Sequence, residues 1–113
     1  MKISSLSENI IYNENKPAIS VLFETATTKE IRIVFKENQQ MKEHKTSFPI
    51  TFEIFEGAID FGVNGTNYSL VKGDLVSLEA SVPHDLLAKK DSIVRLTLSK
   101  LDNVERVIKV SEA

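Results

Sequence analysis

The dipeptide Asn64-Gly65 constrains this chain more than any other feature. Both residues tolerate the positive φ that a type I′ turn demands, and such turns join antiparallel strands through two-residue loops. A loop there pairs Val63 with Thr66, Phe61 with Tyr68 and Ile59 with Leu70, all on one face. Gly62 with Asn67 and Asp60 with Ser69 then share the other face. Turn chemistry and alternation set the same register, so a β-hairpin is expected.

The same period recurs along the chain. Ile19, Val21 and Phe23 alternate, as do Ile31, Ile33 and Phe35, with Arg32 and Val34 on the opposite face. Ile50, Phe52 and Ile54 follow, with Thr51, Glu53 and Phe55 opposite. Period two in β-branched and aromatic residues indicates strands. Lys72-Gly73-Asp74 reads as a turn, with strands expected over 75–78, 82–88 and 93–98 and a further turn at Lys89-Lys90-Asp91. Leu101, Val104 and Ile108 have helical spacing, while 107–110 also suits a strand; both alternatives stay open. Eight or nine short strands without a clear helix predict an all-β sandwich or jelly-roll barrel whose closure buries the sheet edges and leaves an interior cavity.

The chain has 113 residues, enough for one domain. Residues 1–17 are the least patterned and are expected to form an arm or edge segment, with one barrel domain over 18–113. There are no cysteines, which excludes disulfides, thiolate metal sites and cysteine nucleophiles. Fourteen basic residues face sixteen acidic ones without a basic block, so no nucleic-acid partner is expected. No apolar run reaches the roughly 18 residues a membrane helix needs, and the first ten residues lack the apolar core of a secretory signal. A cytoplasmic location is the expectation.

The stretch 38–99 resembles a cupin domain. The first motif of that family matches around His44-Lys45-Thr46-Ser47-Phe48-Pro49-Ile50, with its glycine at Gly57. The second matches from Gly73 to Pro83-His84, and the central hairpin lies between them. The resemblance implies a cupin jelly roll, the double-stranded β-helix. Metal-binding cupins use three histidines and one glutamate, and two of those four positions match here, His44 and His84. Thr46 stands in place of the second histidine and Ile50 in place of the glutamate. In the second motif Glu79 and Ser81 replace proline and glycine.

His44 and His84 are the two histidines of the chain. Period two puts His44 and Thr46 on one face, and His84, Leu86 and Ala88 on another. With both faces inward, His44, Thr46, Phe52 and His84 are the candidate ligand pocket, and His44 and His84 are the candidate ligands of one divalent transition metal (Zn, Fe, Ni or Mn). Two imidazoles are an incomplete set, since catalytic zinc generally has three protein ligands. Glu43 and Glu53 alternate away from the pocket, so waters, a bound substrate or a further side chain are needed to complete a shell. The plainer alternative is a metal-free pocket in which the histidines bond to water or backbone. Phe48, Phe61 and Tyr68 suit stacking on a ligand or plain core. Lys45 and Arg95 suit an anion if they face inward, and solvated outer faces otherwise. Asp74 reads as a turn residue, Asp85 as a weaker candidate base, and no nucleophile–base pair is evident.

The leading expectation is a small bacterial cupin that binds a small molecule inside its barrel, with or without a metal; whether it catalyses a reaction stays open. The rival is a metal-free sensing module, or a dimerisation unit. A homodimer is expected in which Ile10-Ile11-Tyr12 covers a partner's sheet edge.

Overall fold

The computed structural model describes residues 1–100. They hold nine strands and no helix: β1 (Ala18–Glu24), β2 (Thr28–Phe35), β3 (Gln40–His44), β4 (Ile50–Glu56), β5 (Ala58–Val63), β6 (Thr66–Val71), β7 (Leu75–Leu78), β8 (His84–Ala88) and β9 (Ser92–Ser99). The expected tail element over 101–110 lies outside the described residues.

The strands form two antiparallel sheets, in the orders β1-β2-β9-β4-β7 and β3-β8-β5-β6. The chain passes repeatedly from one sheet to the other, and the inward side chains of both make a single core. Ile31, Ile33 and Phe35 of β2 and Ile50, Phe52 and Ile54 of β4 meet Ile59, Phe61, Leu86 and Ala88 from the other sheet. Most of these are at most 2% exposed, so the interior is filled with side chains. The expected jelly roll forms as two facing sheets, and among the described residues β1, β7, β3 and β6 remain as their edges. Two facing sheets bury the same apolar stripes as a closed barrel, because burial is non-directional and does not require a final ladder.

The hairpin takes the expected register at every position, from Ala58↔Val71 to Val63↔Thr66. Asn64 has φ 51° and Gly65 φ 78°, as a type I′ turn requires. The two strands differ in burial, however. Phe61 and Ile59 are buried, whereas Tyr68 is half exposed. β6 is a sheet edge, and among the described residues no strand lies beyond it. A Cβ at Gly65 meets no atom within 4 Å, so Gly65→Ala carries only the backbone cost of positive φ, about 1 kcal/mol. A small shift in the urea midpoint is expected, with m unchanged.

β2 departs from simple alternation. Arg32 and Val34 point away from the core, yet they are 9% and 2% exposed. The irregular segment 1–17 accounts for Arg32, because backbone carbonyls of its residues 5, 8 and 9 lie on the guanidinium. Farther along, Gln39 donates its side-chain amide to the Asn13 and Glu14 carbonyls. Ile11 remains 69% and Tyr12 39% exposed.

Candidate functional site

The site grows from the pairing of β3 with β8. These strands meet in antiparallel register with His44 opposite His84, across an irregularity between Met41 and His44. On the other side of β8, His84 pairs with Val63 at the end of the hairpin. The turn at Asn64-Gly65 thus fixes where β5 ends, and β5 fixes where His84 sits. Two residues forty positions apart in the chain are brought ring to ring, with centroids 4.4 Å apart and planes tilted by 57°.

The surroundings of the two rings differ. His84 is 1% exposed and stacks on Phe61, with centroids 5.7 Å apart and planes at 20°. Phe52, from the opposite sheet, meets His84 edge-on at 5.6 Å and Phe61 at 5.3 Å. His44 is half-buried and covers the outer side of the pair. His84 therefore forms the end wall of an aromatic box, and His44 lies between that box and solvent.

Hydrogen bonding orients both rings in the same way. His44 Nδ1 lies 2.7 Å from the Lys42 carbonyl, and His84 Nδ1 lies 2.9 Å from the Val82 carbonyl. A carbonyl oxygen only accepts, so each Nδ1 carries a proton, and in the neutral imidazole Nε2 is then the lone-pair atom. His84 Nε2 is buried and has no hydrogen-bond partner among the described residues. An unpartnered buried acceptor costs about 1–3 kcal/mol and calls for an explanation. Burial is the main reason that the His84 pKa falls below the ordinary histidine value. The Val82 carbonyl opposes that shift, the neighbouring imidazole of His44, a like titratable group, adds to it, and Asp85 opposes it.

Thr46 lies beyond the end of β3, and period two no longer governs it there. Its hydroxyl donates to the Phe48 carbonyl at 2.9 Å, and its own carbonyl accepts from the Ser81 amide. It lines a cleft with Ser47, Phe48, Lys29 and Leu98. The structure thus gathers His44, Phe52 and His84, while the hydroxyl of Thr46 is engaged elsewhere. Ile50 is a core residue. Glu43 lines an outer cleft with Asp85 and Asn67. Glu53 accepts from Arg95 Nε at 2.8 Å, and Glu30 from Arg95 Nη1 at 3.2 Å, on the outer face. Lys45 is exposed, and Asp74 closes its turn by accepting from the Val71 amide. Among the described residues, no group of three or more His, Cys, Asp or Glu side chains is placed to hold a metal ion.

Two features escaped the sequence reading. Phe61 was legible as an inward aromatic, but its stacking on His84 depends on the β5–β8 register. The carbonyls that orient the imidazoles lie two residues before each histidine, and no side-chain pattern marks them.

No family model matches the sequence, and no curated protein matches it. Solved structures do resemble it. An RmlC-like cupin protein from Desulfovibrio desulfuricans superposes with a TM-score of 0.81 at 22% identity, covering 88% of this chain and 96% of that one. A conserved protein with a double-stranded β-helix domain from Klebsiella pneumoniae gives 0.79 at 18%, covering 88% and 90%. A cupin superfamily protein from Desulfitobacterium hafniense gives 0.74 at 16%, covering 80% and 83%. At such identities the likeness speaks for the fold alone. Two facing antiparallel sheets, the hairpin between the motifs and the paired ends of β3 and β8 give this chain the fold of the cupins, a double-stranded β-helix.

Proposed function

We propose that this cupin binds a small molecule at the His44–His84 pair, and that a divalent transition metal on the two Nε2 atoms is the group that molecule meets. One observation carries the reading: the buried, unpartnered Nε2 of His84, beside a second imidazole oriented by the same kind of backbone hydrogen bond. A proton fixed on Nδ1 by a carbonyl, which leaves Nε2 as the coordinating atom, is how proteins prepare imidazole for a metal. Imidazole nitrogen suits Zn, Fe or Ni, and Mn less well.

The donor set fits such an ion in part. His44 and His84 supply two positions, and Ile50, Glu43, Glu53 and the engaged hydroxyl of Thr46 supply none. The remaining positions fall to water or to oxygen donors of the bound molecule, which favours a ligand with a carboxylate or vicinal oxygens. When bound, the metal would act as a Lewis acid on those oxygens. The protein's part is to hold the two imidazoles oriented through their Nδ1 bonds, and to exclude water behind His84 with Phe52 and Phe61. Among the described residues no side chain at the pair is arranged as a nucleophile with its base, so binding is the activity this geometry supports best.

A second reading rests on the stacking of His84 against Phe61. In it the pair is a metal-free wall of a sensing pocket. One experiment separates the two. The protein is incubated in turn with Zn, Fe, Ni and Mn, desalted and analysed for metal, then screened by thermal shift against sugars, amino acids and carboxylates with and without metal. About one metal per chain, lost in His44→Ala, supports the first reading. No retained metal together with a stabilising ligand supports the second.

A further inference from the structure

Outside the histidine site, one buried charge lacks the partner its chemistry calls for. Arg32 sits mid-strand in β2 on the outer face, 9% exposed. Its cross-strand neighbour is Arg95, a like charge directly opposite, which is an unfavourable arrangement. Arg95 is compensated by Glu53 and Glu30. Arg32 has no carboxylate partner among the described residues. Its Nη1 donates to the Ser5 and Glu8 carbonyls at 3.1 and 2.8 Å, its Nη2 donates to the Asn9 carbonyl at 3.2 Å, and its Nε is buried without a partner.

All three acceptors belong to one tight turn of the N-terminal arm. Ser5 Oγ accepts from the amides of Ser7 and Glu8, both at 3.1 Å, and Asn9 takes φ 53°. The turn aims three neutral oxygens at a cation whose fork geometry matches carboxylate or phosphate. A cleft of about 480 Å³ runs between arm and sheet, lined by Ser4, Ser5, Glu8, Ser20 and Arg32 among others. The carboxylate in that lining, Glu8, is carried by the arm and departs with it.

We infer that the outer face of β2 is an oxyanion site centred on Arg32, and that the arm is its built-in occupant, displaced when a phosphate or carboxylate group binds. An oxyanion adds the attraction of opposite charges and a two-oxygen match to the guanidinium fork, neither of which the arm's neutral carbonyls supply, and the Nε–H, unpartnered among the described residues, gives a bidentate ligand its second donor. Arm docking and oxyanion binding therefore compete, and the competition is reciprocal.

The test uses the full chain with inorganic phosphate and, separately, citrate. Arm docking is read by hydrogen exchange over residues 1–17, and binding by calorimetry. Phosphate or citrate is expected to raise exchange at Ser7 and Glu8 saturably, and the more effective of the two names the ligand class. Asn9→Pro cannot take φ 53°, since proline holds φ near about −65°. That variant is expected to undock the arm and bind the effective oxyanion at least about fivefold more tightly. Arg32→Met is expected to undock the arm and lose oxyanion binding. Arg32→Lys, which keeps charge without the fork, is a second variant should Arg32→Met fail to fold, and its binding is expected to be weakened. An arm equally protected in the Arg32 variants, oxyanion binding undiminished by them, or no response of the native chain and of Asn9→Pro to either anion would overturn the proposal.

Discussion

Gly57→Ala is expected to cost about 3 kcal/mol or more, a large share of the roughly 5–15 kcal/mol that holds a domain folded. Gly57 joins β4 of one sheet to β5 of the other with φ 96°, a conformation that penalises any Cβ by about 1–2 kcal/mol. The second cost is steric. A Cβ there would fall on Ser92 Oγ, and would lie 2.6 Å from both the Asp91 carbonyl oxygen and Ser92 Cα. Ser92 is 1% exposed; its hydroxyl accepts from the Ala58 amide at 3.0 Å and donates to the Lys90 carbonyl at 2.7 Å. Moving it breaks the clasp between the β4–β5 crossing and the start of β9, which leaves buried groups unpaired at about 1–3 kcal/mol. Urea unfolding of Gly57→Ala beside Gly65→Ala checks this. The two share a positive φ, but only Gly57 meets backbone. Equal midpoints in the two variants would show that the contact with Ser92 carries no energy. Ser92→Gly in the Gly57→Ala background is expected to recover only part of the loss, because the Asp91 carbonyl remains in place.

His84→Phe is expected to abolish metal and ligand binding while leaving the fold intact. Phenylalanine keeps the stack on Phe61 and the edge contact with Phe52. It gives up the bond to the Val82 carbonyl and also removes the unpartnered Nε2, two costs of opposite sign and similar size. The variant is therefore expected within about 1 kcal/mol of the native chain at pH 8.

Acid separates them. Burial lowers the pKa of His84 in the fold, so between that value and the unfolded pKa of about 6.5 the unfolded chain binds the extra proton. The stabilisation from keeping this imidazole neutral is fully present above about pH 6.5 and is lost as pH falls below it. The slope is at most about 1.4 kcal/mol per pH unit for one group. Urea midpoints from pH 8 to 5 are expected to fall more steeply for the native chain than for His84→Phe. Parallel curves would mean that His84 titrates in the fold as it does unfolded, and would remove the electrostatic part of the site's description. Loss of metal in a variant of native stability would tie binding to the Nε2 atom rather than to the packing of the barrel.

How much of this was legible before the structure differs by element. The hairpin was legible throughout, because Asn64-Gly65 and five alternating pairs state its register within twelve residues. Gly57 was legible as a motif position, but its reason was not, since Ser92 approaches from a distant strand. The outward placement of Glu43 and Glu53 followed from alternation. Alternation failed for Thr46, because β3 stops at His44 and the chain then turns toward Ser81. It was incomplete for Arg32, whose burial comes from an arm that carries no strand pattern.

Local chemistry in the sequence therefore determined the strands, their faces and the central turn, since φ preference and period two act over a few residues. Only the tertiary structure decided that His44 and His84 stand ring to ring, that Phe52 and Phe61 enclose one of them, and that Arg32 is capped by the arm. Each of these depends on a register between segments well separated in the chain. Such registers are set by the collective packing of two sheets, which no short window of residues encodes.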